Sequence, residues 1–256
     1  SDCKIQVKLF CLADDVDTEI AERAFAKQTG INNSVAYVIY TSGTTGDAKG
    51  VPVTFRNLMS YYSGFLDQLS LLSNLEHIKW LSGASLSFDA SLKNLLLLMR
   101  GGCCYLLNNE QHADIEQISR LISSEKIDII NFIPRVLTQV LSTKLQHFPN
   151  LICSGDKISK VLYQQISEYC QAHNRIALNA YGPTETTINS TFSVLGSRLS
   201  IGQPLANTQC IVVDKQNRIL PLGCVGELLI GGPAVVAGYL NRDALTSLAF
   251  VEFKHA

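Results

Sequence analysis

The chain has 256 residues, 46% of them hydrophobic, which is enough for one large domain or two modest ones. A formal charge of −1 gives no electrostatic reason to expect nucleic-acid binding. No apolar run approaches the roughly 20 residues of a membrane span, and the first residues lack the basic and apolar regions of a signal peptide. Eight cysteines, at 3, 11, 103, 104, 153, 170, 210 and 224, make no Cys-x-x-Cys pair and no zinc-like spacing with histidine. They read as reduced, mostly core residues, so the expected compartment is the cytoplasm.

Strand-like and helix-like segments alternate along the chain. Residues 18–28 read as a helix, 35–40 as a strand and 54–72 as a helix. A strand over 78–81 is followed by a helix over 88–99, stopped by Gly101 and Gly102. A strand over 103–107, a helix over 115–124 and a buried strand over 128–132 come next, and Pro134 opens another helix. Residues 151–153, 159–172 and 176–180 continue the alternation as strand, helix and strand. This order predicts a mostly parallel sheet flanked by helices. After about residue 195 the pattern changes to short strands, over 211–213, 218–220 and 226–230, separated by Asn, Pro and Gly. Two domains are therefore expected: a partial α/β nucleotide- and substrate-binding core over 1–195, and a partial β-rich, barrel-like subdomain over 196–256.

Three segments carry chemistry. The strand over 35–40 runs into Thr41-Ser-Gly-Thr-Thr-Gly-Asp-Ala-Lys-Gly50, a loop rich in glycine and hydroxyls with one lysine. Glycines permit close backbone approach to an anion, N–H groups and hydroxyls donate to phosphate oxygens, and lysine adds a mobile charge. The spacing is not that of a Walker A loop, because Gly43 and Gly46 are too close and Gly50 follows Lys49. The second segment, Asn179-Ala-Tyr-Gly-Pro-Thr-Glu-Thr-Thr187, follows a strand, and ligands of open α/β sheets bind beyond strand carboxyl ends. The third, Phe88-Asp-Ala-Ser91, precedes a helix, where Asp89 also suits the helix dipole.

Read whole, these strings resemble the signatures of the adenylate-forming superfamily, and most of all the amino-acid adenylation domains of nonribosomal peptide synthetases. Residues 226–232, 237–242 and 245–246 resemble the stretch that comes next in that family, where they are expected to hold the barrel. The resemblance covers residues 35–250 in the expected order. It implies a ligase that joins an amino-acid carboxylate to ATP, releasing pyrophosphate and giving an aminoacyl-AMP. The aminoacyl group would then load phosphopantetheine on a carrier protein of a larger synthetase that also has condensation domains. ATP and Mg²⁺ are the implied cofactors, and neither nucleic acid nor membrane is an expected partner.

Residue by residue, the resemblance implies that Thr41, Ser42, Gly43, Thr44, Thr45, Gly46 and Lys49 hold phosphate. Gly155, Asp156, Asn179, Ala180, Tyr181 and Gly182 would surround adenine, with Tyr181 stacked on the purine. Thr184 would touch the α-phosphate and Glu185 hold Mg²⁺; with Lys49 they form the implied catalytic set. Asp89 would bind the substrate ammonium, which separates an amino-acid ligase from an acyl-CoA ligase. Ala90, Lys93, Asn131, Ile152, Ser154, Ala180, Ile188 and Asn189 would line the side-chain pocket. Lys93, if it points inward, implies a polar or acidic substrate side chain.

The chain also departs from the family. Ala48 replaces a usual proline, Asn94 a common glutamate and Ala237 a usual arginine. The resemblance implies the middle of a larger protein, poorly active or inactive alone, because the family's downstream ribose-binding aspartate and catalytic lysine have no match here. The alternatives are an acyl-CoA ligase of the same superfamily, or a degenerate, non-catalytic core that acts only in binding.

Overall fold

The computed structural model describes residues 33–42, 48–73, 77–108, 111, 113–196 and 198–253. The helix expected over 18–28, the loop residues Gly43, Thr44, Thr45 and Gly46, and the Ser42 side chain lie outside the described residues. The described strands are β1 (Val35–Ser42), β2 (Ala48–Thr54), β3 (Lys79–Ser82), β4 (Cys103–Leu106), β5 (Ile129–Phe132), β6 (Asn150–Ser154), β7 (Ala177–Tyr181), β8 (Thr191–Val194), β9 (Gln203–Pro204), β10 (Gln209–Val213) and β11 (Glu227–Gly231). Contacts divide the chain into two units. One holds Leu66–Tyr181 and Phe192–Gln203; the other holds Gly182–Thr191 with the described parts of Gln28–Phe65 and Pro204–Ala256.

The first unit is built on a seven-stranded sheet in the order β4-β3-β5-β6-β7-β8-β9. The pairs β3–β4, β3–β5, β5–β6 and β6–β7 are parallel. Parallel neighbours need long crossovers, and here these are helices: Leu92–Leu98, Ile115–Ser124, Pro134–Leu141 and Lys160–His173. Local chemistry marks their ends. Asp114 accepts from the Gln117 N–H and Ser159 from the Leu162 N–H, capping two helix starts, while Asn174 closes a helix in the left-handed conformation.

The parallel register sorts side chains between two faces, since neighbours in a strand point opposite ways. Leu81, Ile130, Phe132, Leu151, Cys153 and Ala177 join one buried cluster with helix residues such as Ile118, Ile122 and Ile166. The other face carries Ser82, Asn131, Ile152 and Leu178 in register, then Ser154 opposite Ala180. That second face collects polar groups at strand carboxyl ends.

The second unit has two small antiparallel sheets, β1–β2 and β10–β11. Val51 and Val53 of β2 pack with Val236 and Tyr239. The helix Phe55–Leu69 starts at a reciprocal cap: the Thr54 N–H donates to Asn57 Oδ1 (2.9 Å), and the Asn57 N–H to Thr54 Oγ1 (3.2 Å).

Several expectations change. The strand over 35–40 is not part of the parallel sheet; it continues to Ser42 and, among the described residues, pairs only with β2, which sequence reading missed. The helix expected over 88–99 begins as a 3₁₀ turn, Asp89–Ser91, before Leu92–Leu98. A barrel over 196–256 is not shown: the described residues there form β9, the two-stranded β10–β11 sheet, one bridge, Val213 to Ile219, and the helix Asp243–Ala249. Residues 218–220 run back beside β10 after a turn at 215–217: the Asp214 N–H donates to the Arg218 carbonyl (3.0 Å) and the Leu220 N–H to the Val212 carbonyl (2.9 Å), while the Asp214 side chain accepts from the Arg218 N–H (2.9 Å) and Nε (2.7 Å). Cys103 and Cys104, expected as core residues, are half-buried on the edge strand β4. Among the described residues no helix is long and apolar enough to cross a membrane.

Candidate functional site

In the second unit, the antiparallel strands β1 and β2 flank the Gly/Ser/Thr loop. Thr41 and Lys49 are paired residues at its mouth. Lys49 Nζ lies 3.2 Å from the Tyr239 hydroxyl and 4.4 Å from that ring's centre. The Tyr239 hydroxyl donates to Glu185 Oε1 at 2.6 Å, and Lys49 Nζ lies 3.8 Å from the same oxygen. Burial first, then the hydrogen bond and charge of Glu185, push the Tyr239 phenol above its ordinary range. Thr41 Oγ1 is buried with no hydrogen-bond partner among the described residues, a donor and acceptor awaiting one.

Glu185 sits on a 3₁₀ turn, Thr184–Thr186. The turn is followed by Thr187 and Ile188, both buried and both at positive φ, 61° and 66°. β-Branched residues rarely adopt that conformation, so the surroundings must enforce it. They do so through hydrogen bonds: Thr187 Oγ1 donates to the Ala234 carbonyl (2.6 Å), and the Val236 N–H to the Glu185 carbonyl (3.0 Å). Asn57 Nδ2 in turn donates to the carbonyls of Pro233 (2.8 Å) and Val235 (3.0 Å). A Cβ on Gly182 would lie 2.5 Å from the Asn189 Cα, so close backbone approach by itself requires glycine there. Thr184 is half-buried, and Ile188 and Asn189 are buried in this same unit.

The first unit gathers the other predicted residues at the carboxyl ends of β5, β6 and β7. Ser154 Oγ donates to Asn131 Oδ1 (3.1 Å), and Ile152, Ser154, Asn131 and Ala180 are all buried on one face. Asn179 points to the opposite face, where its Nδ2 donates to the Ser200 carbonyl (2.7 Å). One residue beyond the Ser154–Ala180 pair stand Gly155, at φ 90°, and Tyr181, which is 40% exposed. An exposed flat ring beside a residue with no side chain is an arrangement that a planar base can use. Asp156 is exposed and accepts from the Lys157 N–H.

Asp89 and Lys93 are both buried; Lys93 is 0% exposed. Burial pulls the Lys93 ammonium down to about 8, and the Asp89 charge opposes that fall. Ala90 is half-buried between them in sequence. Asn94, which stands where the family favours glutamate, accepts from Trp80 Nε1 at 2.8 Å.

The described residues contain no group of three or more His, Cys, Asp or Glu side chains able to cage a metal. A single carboxylate such as Glu185 still fits Mg²⁺, which usually takes one or two carboxylates and completes its shell with phosphate and water.

The pattern of the AMP-binding enzyme family matches residues 4–240. The chain belongs to that family. Among relatives of this AMP-binding chain, tyrocidine synthase 3 of Brevibacillus parabrevis is 34% identical over 233 residues, 86% of this chain and 4% of the relative. Bacitracin synthase 3 of Bacillus licheniformis is 32% identical over 245 residues, 94% of this chain and again 4% of the relative. The AMP-binding chain thus spans a small part of the length of these relatives. A similar solved structure is holo-AB3403, a four-domain nonribosomal peptide synthetase bound to AMP and glycine. It superposes with a TM-score of 0.75 at 27% identity, over 86% of this chain and 16% of that one.

Sequence reading missed two members of the site. Tyr239 lies in the 237–242 stretch, which was given only a structural part; Asn57 was simply helical. The available signal was polarity: Asn57 interrupts a buried helix face, and its buried side chain makes four hydrogen bonds.

Proposed function

We propose that this chain is the nucleotide- and substrate-binding core of a ligase that activates an amino-acid carboxylate as its adenylate. The observation that carries this reading is the meeting of Lys49, Tyr239 and Glu185 beside the mouth of the Gly/Ser/Thr loop, in a chain of the AMP-binding family. The likeness to holo-AB3403, described as bound to AMP and glycine, supports an amino acid as the acid.

In the reaction, a substrate carboxylate oxygen forms a bond to the α-phosphorus of ATP. The bond from that phosphorus to the β-phosphate oxygen breaks, and its electron pair leaves with pyrophosphate. Charge moves onto the leaving group, so the protein's task is positioning and charge stabilisation. Lys49 supplies a cation for the departing phosphates, and Thr41 a buried hydroxyl. Bound Mg²⁺ supplies further neutralisation of phosphate charge, with Glu185 as its protein ligand. Tyr181 and Gly155 take the base, and Thr184 meets the α-phosphate.

Asp89 receives the substrate ammonium. Lys93, buried beside it, favours a substrate side chain that is polar or acidic, because a buried ammonium gains most from a second anion or amide. The product is handed to a phosphopantetheine thiol on a carrier domain of a larger synthetase that includes condensation domains.

The test is ATP–pyrophosphate exchange across the twenty amino acids and a set of fatty acids, on the full-length parent protein. Exchange with a polar or acidic amino acid supports the reading; preference for Phe or Leu overturns the side-chain assignment; exchange with fatty acids alone overturns the amino-acid class. Glu185→Ala is expected to reduce exchange far more than amino-acid binding. Equal loss of both counts against the metal role.

A further inference from the structure

Three side chains from separate stretches of the second unit meet on one carboxylate oxygen. The Tyr239 hydroxyl lies within hydrogen-bond reach of both Lys49 Nζ (3.2 Å) and Glu185 Oε1 (2.6 Å). Lys49 and Glu185 are 3.8 Å apart, too far for a good hydrogen bond between them. The phenol is therefore the link, accepting from the ammonium while donating to the carboxylate.

The phenol is itself fixed. Tyr239 is buried in a cluster with Val51, Val53 and Val236, and the Phe250 ring meets it edge-on at 5.4 Å. Its N–H donates to Thr246 Oγ1 (2.9 Å), and the next N–H, of Leu240, donates to the Gly50 carbonyl (2.9 Å). The far end is fixed too, since the Glu185 carbonyl accepts from the Val236 N–H (3.0 Å). A glutamate held only by its backbone would sample several rotamers. Here the hydroxyl selects one, and both contacts fall on Oε1, leaving Oε2 outside them.

We propose that Tyr239 is a positioning residue whose phenol orients Glu185 for a divalent cation, with Lys49 held at the same oxygen until a phosphate draws it away. The inference rests on the nucleotide-binding reading above. Outer-shell partners of metal ligands act in this way, and losing one costs roughly tenfold to a hundredfold in metal affinity.

The test is Mn²⁺ binding, read by electron paramagnetic resonance in the presence of ATP, together with ATP binding without metal, on the full chain. Tyr239→Phe keeps the ring and its contact with Lys49 and deletes only the hydroxyl. Mn²⁺ affinity is expected to fall about tenfold, while metal-free ATP affinity stays unchanged. Glu185→Gln is expected to show a comparable loss, and the double variant little more, because the two groups act as one unit. Unchanged Mn²⁺ affinity, equal loss of metal-free ATP binding, or additive losses would each overturn the proposal. If Tyr239→Phe does not fold, Glu185→Asp, which draws the carboxylate back by one methylene, must show the same selective loss. A wild-type chain that binds no ATP at all defeats the nucleotide reading and the proposal with it. Normal wild-type binding with an indifferent Tyr239→Phe defeats the proposal alone.

Discussion

Lys93 makes a quantitative claim about pH and stability. Its ammonium is fully buried, and its folded-state value falls from 10.5 to about 8, with Asp89 offsetting part of the burial cost. The gap, 10.5 minus about 8, corresponds to about 3 kcal/mol at ~1.4 kcal/mol per unit. Below about pH 8 both folded and unfolded chains carry the proton, and the full cost of burying the charge is present. Between about 8 and 10.5 the unfolded chain still binds a proton that the folded chain has released, so stability rises with pH. Above 10.5 the cost is gone. For this one group the gain from about pH 7.5 to about pH 9.5 is about 2 kcal/mol. Thiols oppose it: burial holds Cys104 and Cys153 at about 12 and Cys170 at about 11, so the unfolded chain loses those protons first and stability falls above their ordinary value of 9. The comparison must therefore be with Lys93→Met, which keeps the thiols and removes the ammonium. Trp80 is the sole tryptophan, is buried, and is bonded to Asn94 next to Lys93, so its fluorescence reports unfolding at the right place. In urea titrations, wild type is expected to gain about 2 kcal/mol relative to Lys93→Met between the two pH values. The double variant Asp89→Asn/Lys93→Met removes the carboxylate left behind and must give the same difference. A stability gap that does not change with pH refutes the reasoning.

Other outcomes follow from single contacts. Asn57→Ala deletes bonds to the Pro233 and Val235 carbonyls and to Thr54; it is expected to cost about 3 kcal/mol in urea unfolding, and a loss under about 1 kcal/mol would contradict the role given to it. Cys224 is exposed, while burial holds Cys153 at about 12. Iodoacetamide at about pH 8 should label Cys224 in the native protein and Cys153 only after unfolding, because the thiolate is the reactive form. Peptide mass mapping that finds both labelled at the same rate would show the buried assignment to be wrong.

The sheet was legible because parallel strands, buried on both faces, announce themselves as short apolar runs between helical periods. Residues 128–132 and 151–153 are such runs, and they match Ile129–Phe132 and Asn150–Ser154 closely. The polar ends of these strands were legible for the same reason: Asn131 and Ser154 break the runs just where a ligand face begins. β2 was hidden because Gly50 and Pro52 disguise its alternation of Val51 and Val53, and both residues argue against a strand when read locally.

The same logic explains why half of the Lys49 site was readable and the other half was not. Lys49 stands inside a contiguous string, and Glu185 inside another, so each carries its own local signal. Tyr239 meets Glu185 from 54 positions away in sequence and Lys49 from 190. A tyrosine between Gly238 and Leu240 has no local feature that separates a core ring from a hydrogen-bonding phenol. Only the packing of Val236 and Phe250 against it, with the backbone bond to Thr246, puts the hydroxyl where a carboxylate and an ammonium can share it. Pattern reading therefore finds residues of contiguous motifs sooner than residues such as Tyr239, because the former carry a local signal and the latter depend on contacts made only when the chain has folded.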